Sequence, residues 1–286
     1  MSLSKKIDFA VVFQVKNANP NGDPLNGNRP RTTYDGLGEL SDVCIKRKIR
    51  DRLMEAGKAI FVQSDDRKND DCSSLRDRAD KVLSEQKSAK DKAETACQTW
   101  FDVRAFGQLF AFAASGGKKA KKTKDGEDAG DDKAVSIGIR GPVTVHPAFS
   151  LSQVSVTSTQ ITKSVNSEDT KDGKRGSDTM GMKHRVDSGT YVFYGSMNPQ
   201  LAVKTGFTDE DAETIKDVLP KLFENDASSA RPEGSMRVLK VVWWEHNSRS
   251  GQASSAKIHG SLDLAEDGSV TFKEVNGPKP EIIEGF

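Results

Sequence analysis

Three of the four cations between residues 46 and 50, Lys46, Arg47 and Arg50, have a spacing that suits phosphate. In a helix, Lys46 and Arg50 lie one turn apart, and Arg47 sits about 100° round from Lys46. Cations on one face, next to a loop with free backbone donors, can grip a nucleic-acid backbone. Asp42, Asp51 and Glu55 are close enough to neutralise the same cations, so a solvated, ion-paired helix face accounts for the stripe equally well. A second candidate is the loop Asn19-Pro20-Asn21-Gly22-Asp23-Pro24 with Arg29 and Arg31 beyond it. Its Asp and Asn could in principle bind a metal. A tight turn calls for the same residue types, and the spacing of a calcium loop is absent. The third is the stretch 159–184, in which Lys163, Lys171, Lys174, Arg175, Lys183 and His184 flank Met180 and Met182. Methionines on a basic projection could wedge between bases or fill a partner's groove; a polar surface loop is the plain alternative. The fourth, residues 228–237, carries Ser228 and Ser229 with His246 not far along the chain, but no Ser-His-Asp order is visible. A turn leading into a strand explains it better.

Several chemistries are excluded by what the chain lacks. Cys44, Cys72 and Cys97 have no CxxC spacing, and His146, His184, His246 and His259 form no HExxH or His/Cys cluster. There is no P-loop, no GxGxxG after a strand and no GxSxG, so no catalytic, metal or cofactor-binding residue is assigned. The 286 residues hold 43 Lys+Arg against 42 Asp+Glu, a formal net charge of +1. A uniformly basic nucleic-acid coat is therefore ruled out, and any such site must arise from local charge separation. The longest nearly apolar run, residues 105–114, is too short to span a bilayer. With no signal-peptide pattern and sparse cysteines, the reading is a cytoplasmic protein with no membrane contact.

The elements that must position these residues follow from periodicity. Residues 7–15 (IDFAVVFQV) read as a buried strand, and 17–30 as an Asn/Gly/Pro loop. Ser41 offers an N-cap for a helix through about Ala56, stopped by Gly57, with Ile45, Ile49 and Leu53 as its apolar stripe. Residues 64–98, with nine acidic and eight basic residues, read as a solvated insertion with one helix over about 73–98. Residues 115–133, five Lys then five acids, are low-complexity and expected to be disordered. Strands are expected over 134–145, limited by Pro142, and over 151–165, 186–194 and 237–244, with 166–185 polar and irregular. Thr208 and Asp211 suggest a capping box before an amphipathic helix kinked at Pro220. Ile258 to Leu262 with Val270 to Val275 suggests a final hairpin, and Trp243-Trp244 reads as core and interface. The order strand, helix, strands, helix, strand fits an α+β, ferredoxin-like or RNA-recognition-like core with long insertions.

Taken in order, these segments resemble the repeated backbone subunit of CRISPR type I-C Cascade complexes, in the RAMP superfamily. The matching pieces are NANPNGDPLNGNRPR at 17–31, SDVCIKRKIRDRL at 41–53, DVRAFG at 102–107, IRGPVTV at 139–145 and QITKSV at 160–165. Further on come SDTMGMKHRVDSGTYV at 177–192, NDASSARPEGSMRV at 225–238 and WWEHNS at 243–248. The acidic–basic insertion and the Lys-rich stretch 118–124 lie outside the pattern.

The resemblance implies a single RAMP-type domain over 1–286, with a modified RNA-recognition palm, a helical fingers insertion at 60–134 and a β-hairpin thumb at 164–186. It implies copies stacked head to tail as a helical filament along CRISPR RNA, in an antiviral ribonucleoprotein with the other type I-C subunits. The guide would be presented to a target DNA strand, and a helicase-nuclease recruited. The RNA contacts it suggests are Lys46, Arg47, Arg50, Ser41, Asn21, Arg29, Arg31 and Lys163, with Met180 and Met182 as thumb wedges that help to flip out a nucleotide. No cofactor and no catalysis are implied. Type III relatives, which cut target RNA with an aspartate in the loop after the first strand, supply the rival expectation: a metal-dependent ribonuclease using Asp23 or Asp35.

Overall fold

The computed structural model describes residues 1–112, 135–162 and 180–286. The chain opens with β1 (Ile7–Ala18), then a small hairpin, β2 (Gly22–Asp23) and β3 (Arg29–Pro30), and β4 (Leu37–Leu40). α1 (Asp42–Glu55) begins where expected: the Ser41 hydroxyl accepts from the Cys44 N–H at 3.3 Å, and Gly57 at φ +76 follows its end. Ile45, Ile49 and Leu53 are all buried. The single helix expected over 73–98 is two, α2 (Leu75–Leu83) and α3 (Ala89–Thr99). Ser74 and Ser88 each cap their own helix by accepting an N–H three residues on, and Ser88 therefore restarts what Ser84 ends.

α4 (Phe101–Phe106) runs into β5 (Gly107–Phe112) at Gly107, whose φ of +82 and close approach to the Ile139 carbonyl leave no room for a side chain. β5 pairs with β6 (Val135–Arg140); Gly141 and Pro142 then separate β6 from β7 (Val143–Val145). The strand expected over 151–165 is β8 (Ala148–Gln153) and β9 (Val156–Thr162), broken at Val154-Ser155. β10 (Met180–Met197) starts six residues before the expected 186, so residues 180–185 are strand and not loop. α5 (Pro199–Thr205) was not anticipated; Asn198 caps it and Pro199 opens it. α6 (Asp209–Val218) carries the capping box of Thr208 and Asp211, and Pro220 tightens its end into a 3₁₀ turn. β11 (Met236–Glu245) follows. Ile258 belongs to α7 (Ser255–His259), not to a strand, and the last hairpin is β12 (Leu262–Leu264) with β13 (Val270–Phe272). β14 (Glu281–Glu284) completes the chain's elements.

The main sheet is antiparallel throughout, in the order β14-β11-β1-β10-β8-β4, with β7 and β9 also on β10. Its centre, β11-β1-β10-β8, with α1 after β1 and α6 after β10, is the arrangement of two interlocked β-α-β units. One face carries Phe9, Val11, Phe13 and Val15 of β1 against Ile45 and Ile49 of α1 and Ile215 of α6. The other carries Ala10 against Val242, Trp244 and Ile258. β1 is therefore buried without a break from Ile7 to Phe13, with Asp8 as the one polar residue in that run, as a strand covered on both sides is expected to be. Trp243 and Trp244 are consecutive on β11 and enter opposite cores. The insertion after α1 has its own core of Phe61, Leu83, Trp100, Val103, Phe110 and Ile137. Among the described residues no helix is long and apolar enough to cross a membrane. Residues 113–134, which include the whole stretch 115–133 expected to be disordered, and 163–179 lie outside the described residues.

The second face buries a cluster of charges. Asp8 accepts from Lys6 at 3.2 Å and His246 at 2.9 Å, while His259 stands 3.7 Å from its other oxygen. His246 Nδ1 accepts from the Gln252 N–H, so its Nε2 is the donor to Asp8. Burial pushes the His259 pKa below its ordinary 6.5, with Asp8 opposing. A lowered folded value means that the unfolded chain takes up the proton first. The stability that His259 contributes is complete above pH 6.5 and declines as the pH falls below it. Urea midpoints at pH 7.5 and pH 5.5 should therefore differ less in His259→Gln than in the parent; an equal difference would show that His259 is not the titrating group.

Candidate functional site

β10 outruns β1. Their pairing ends at Ala18 opposite Val186, while β9 and β10 stay paired from Val156–Val186 out to Thr162–Met180. The two strands thus leave the sheet as a ribbon. Met180 and Met182, two residues apart on β10, are 62% and 53% exposed, and Gln160 donates to the Met180 sulfur at 3.4 Å. Large exposed apolar side chains on a free ribbon bury nothing of the chain's own core, which makes them available to a partner.

At the root of this ribbon lies a cavity of about 360 Å³. One wall is the ribbon, with Met182, Lys183, His184 and Arg185. The second is the end of β1 and the loop after it, with Asn17, Asn19 and Asn28. The third is the turn before β11, with Ser229, Ala230 and Pro232. Asn17 and Asn28 hold φ of +53 and +60, a conformation asparagine tolerates better than most residues, and this explains why an Asn-rich loop builds that wall. The walls are tied together. The Asn19 N–H donates to the Ala230 carbonyl at 2.8 Å, and its Nδ2 donates to the Asn28 carbonyl at 2.6 Å. Lys183 reaches the Ser229 carbonyl at 3.4 Å. Arg29 donates to the Ser158 hydroxyl, which also bonds His184 Nδ1, both at 2.8 Å. A lining of lysine, histidine and arginine together with amides and a methionine can receive an anionic ligand that also has flat apolar parts.

The residues picked out from sequence do not share one surface. Lys46 and Arg47 lie on the outer side of α1. Lys46 is held by Asp42 at 2.9 Å, and Arg47 by Asp66 at 3.3 Å and Asp51 at 3.9 Å. Both the stripe and its ion pairing are thus present. Arg50 does not share their surface: its Nε donates to Asp102 at 2.8 Å, its side chain is 12% exposed, and its guanidinium stacks on Phe106. Three cations on one open face is corrected to two, because α1 turns Arg50 toward the insertion. Asn21 and Ser41 meet each other, the Asn21 carbonyl oxygen accepting from the Ser41 N–H and hydroxyl at 3.0 and 3.1 Å, a lock between the loop and the helix start. Arg31 pairs with Asp23 at 3.4 Å, and Asp23 also caps the Leu25 N–H. Lys163 lies outside the described residues. Asp35 is exposed in the turn before β4, and among the described residues no three carboxylate, histidine or cysteine groups cluster as a metal site.

Sequence reasoning missed Ser158 and the turn at 228–230 as parts of one site with Asn17, Asn19 and Asn28. These positions are brought together only by the register of β9 on β10 and by the return of the chain into β11, and no local spacing announces such contacts.

The family model for CRISPR-associated protein Cas7 matches residues 5–280. The chain belongs to the Cas7 family. A CRISPR-associated protein Cas7 from Haloferax volcanii is 25% identical over 295 residues, covering 99% of this chain and 82% of the relative. Among solved structures, a chain of a CRISPR RNA-guided surveillance complex in a pre-nicking state aligns at a TM-score of 0.45 and 15% identity, over 83% of this chain and 77% of its own. A chain of another CRISPR RNA-guided surveillance complex gives 0.43 and 15%, over 83% and 68%. The family match begins before β1 and ends just before β14.

Proposed function

We propose that this chain is a non-enzymatic backbone subunit of a type I-C CRISPR surveillance complex in the cytoplasm, binding CRISPR RNA and stacking head to tail with further copies of itself. The sheet and its helices act as the palm, residues 60–134 as fingers and 164–186 as the thumb. Lys46 and Arg47 touch the RNA backbone. Arg29, Arg31, Asn21 and Ser41 shape the adjoining loop, Arg50 braces the helix from behind, and Lys163 is a further RNA contact. Met180 and Met182 wedge against a displaced base. The guide is then open to pair with a target DNA strand beside the other type I-C subunits, and a helicase-nuclease is recruited to the assembly.

The observation that carries this reading is the cavity at the root of the ribbon, whose lining brings Lys183, His184 and Arg185 together with Asn17, Asn19, Asn28 and Met182. Backbone contacts hold any sequence equally, as a subunit serving arbitrary guides requires. Head-to-tail contacts use two different surfaces and propagate without closing, which lets a nearly neutral protein line up short basic strips into a continuous track. Unstacking a base costs a few kcal/mol, to be offset by phosphate contacts and by the subunit interface. Expression together with a guide transcript and the partner subunits tests the proposal. The purified particle should contain RNA protected from nuclease at a regular repeat. Particles that assemble without RNA, or RNA degraded evenly along its length, would reject it.

A further inference from the structure

Lys48 belongs to α1 but points away from its basic stripe. It is 4% exposed, buried against the ring of Phe223 at 5.5 Å, and its ammonium donates to Asp226. The same Asp226 oxygen accepts from Arg231 Nε at 3.0 Å. Arg231 closes a tight turn with Ser228, each N–H donating to the other's carbonyl at 2.8 and 3.1 Å. From that turn the Ala230 carbonyl receives the Asn19 N–H and the Ser229 carbonyl receives Lys183. One side of a cavity wall is therefore bolted to the middle of α1 by a buried cation.

We infer that Lys48, Asp226 and Arg231 form a positioning relay that fixes the 226–232 turn against α1, so that the helix carrying Lys46 and Arg47 and the cavity under the ribbon hold one RNA segment in a single register. The inference rests on the RNA reading above. A lysine placed in the core with one carboxylate partner is a poor way to gain stability, since desolvation offsets the attraction. Its use is geometric: the buried pair can be satisfied in one arrangement only, and that arrangement sets where Ser229 and Ala230 stand. Burial lowers the Lys48 pKa, with Asp226 opposing. Burial works against the Asp226 carboxylate too, but Lys48 and Arg231 together hold its pKa below the ordinary value. None of the three residues needs to touch the ligand.

The test uses Lys48→Met/Asp226→Leu in the full chain, which removes one positive and one negative charge together. Arg231 loses its carboxylate, but at 27% exposure its guanidinium still reaches solvent, and the net charge stays the same. Binding of a labelled single-stranded RNA is measured across a salt series, with thermal melting and amide hydrogen exchange alongside. We expect melting close to the parent, faster exchange at the Asn19 and Arg231 amides, and an affinity about ten-fold weaker with the same salt slope, because no phosphate contact is lost. Unchanged affinity, or a weaker affinity with a slope reduced by about 0.7, the share of one phosphate contact on a single strand, overturns the relay. If the double variant melts far below the parent, Arg231→Gln alone provides the readout: affinity must fall with the slope kept, and equal affinity overturns the relay. Parent protein that ignores RNA sinks the RNA reading itself; parent that binds and a relay variant that binds equally sinks only the relay.

Discussion

Replacing Asp102 by alanine is expected to destabilise the fold by about 3–5 kcal/mol, the usual cost of leaving a buried charge without its partner. Asp102 is 1% exposed and serves three donors at once: Arg50 Nε at 2.8 Å, the Phe61 N–H at 2.7 Å and the Val62 N–H at 3.1 Å. Removing the carboxylate strands a guanidinium and leaves two backbone donors unsatisfied where α1 gives way to the insertion's separate core. For a domain of this size that corresponds to a fall in melting temperature on the order of 10 °C. Asp102→Asn keeps one acceptor oxygen and should cost less. Arg50→Met/Asp102→Ala should cost less than the sum of its two single changes, because the first change already removes the partner the second would strand. A melting curve for Asp102→Ala within a degree of the parent would show that the chain does not depend on this junction.

The junction also shows where sequence reasoning stops. The segment 41–57 is legible because its signals are local: a serine cap, three apolar residues one turn apart and a terminating glycine all lie within one helix. The capping box at Thr208 and Asp211 is legible for the same reason. Arg50 is different. Spacing alone places it with Lys46 and Arg47, yet it faces a carboxylate 52 residues away, and only the packing of the insertion on α1 decides that. The ribbon is a similar case. Residues 180–185 hold two methionines, a glycine and three basic residues, so the apolar alternation stops after Met180 and Met182, and they become strand because β9 supplies the backbone partner. β4 and β14 are four residues each, too short for a periodic pattern to mark them. The cavity combines these limits: its walls come from three distant segments, and two of its asparagines matter for their backbone conformation as much as for their side chains.

The largest effect on ligand binding is expected from Lys46→Ala/Arg47→Ala, which should weaken single-stranded RNA binding by about ten- to a hundred-fold at low salt and flatten the salt dependence by about 1.4, the share of two phosphate contacts. Both side chains are paired with acids at rest. An exposed pair of this kind is worth at most about 1 kcal/mol, so a phosphate can replace the carboxylate at little cost. Asp66 tests that exchange from the other side. It is well exposed and bonds Arg47 at 3.3 Å, with its pKa held below the ordinary value by the Ser64 hydroxyl foremost and by Arg47 to a smaller degree. Asp66→Asn removes the competitor and should tighten binding by a few-fold without changing melting, since exposed substitutions of this kind rarely shift stability by more than about 0.5 kcal/mol. Arg50→Met, in contrast, should lower stability while leaving the salt slope of the folded protein unchanged, because its guanidinium is already committed to Asp102. If the slope falls with Arg50 and not with Lys46 and Arg47, the contact surface lies on the insertion side of α1, and the outer stripe is only a solvated helix face.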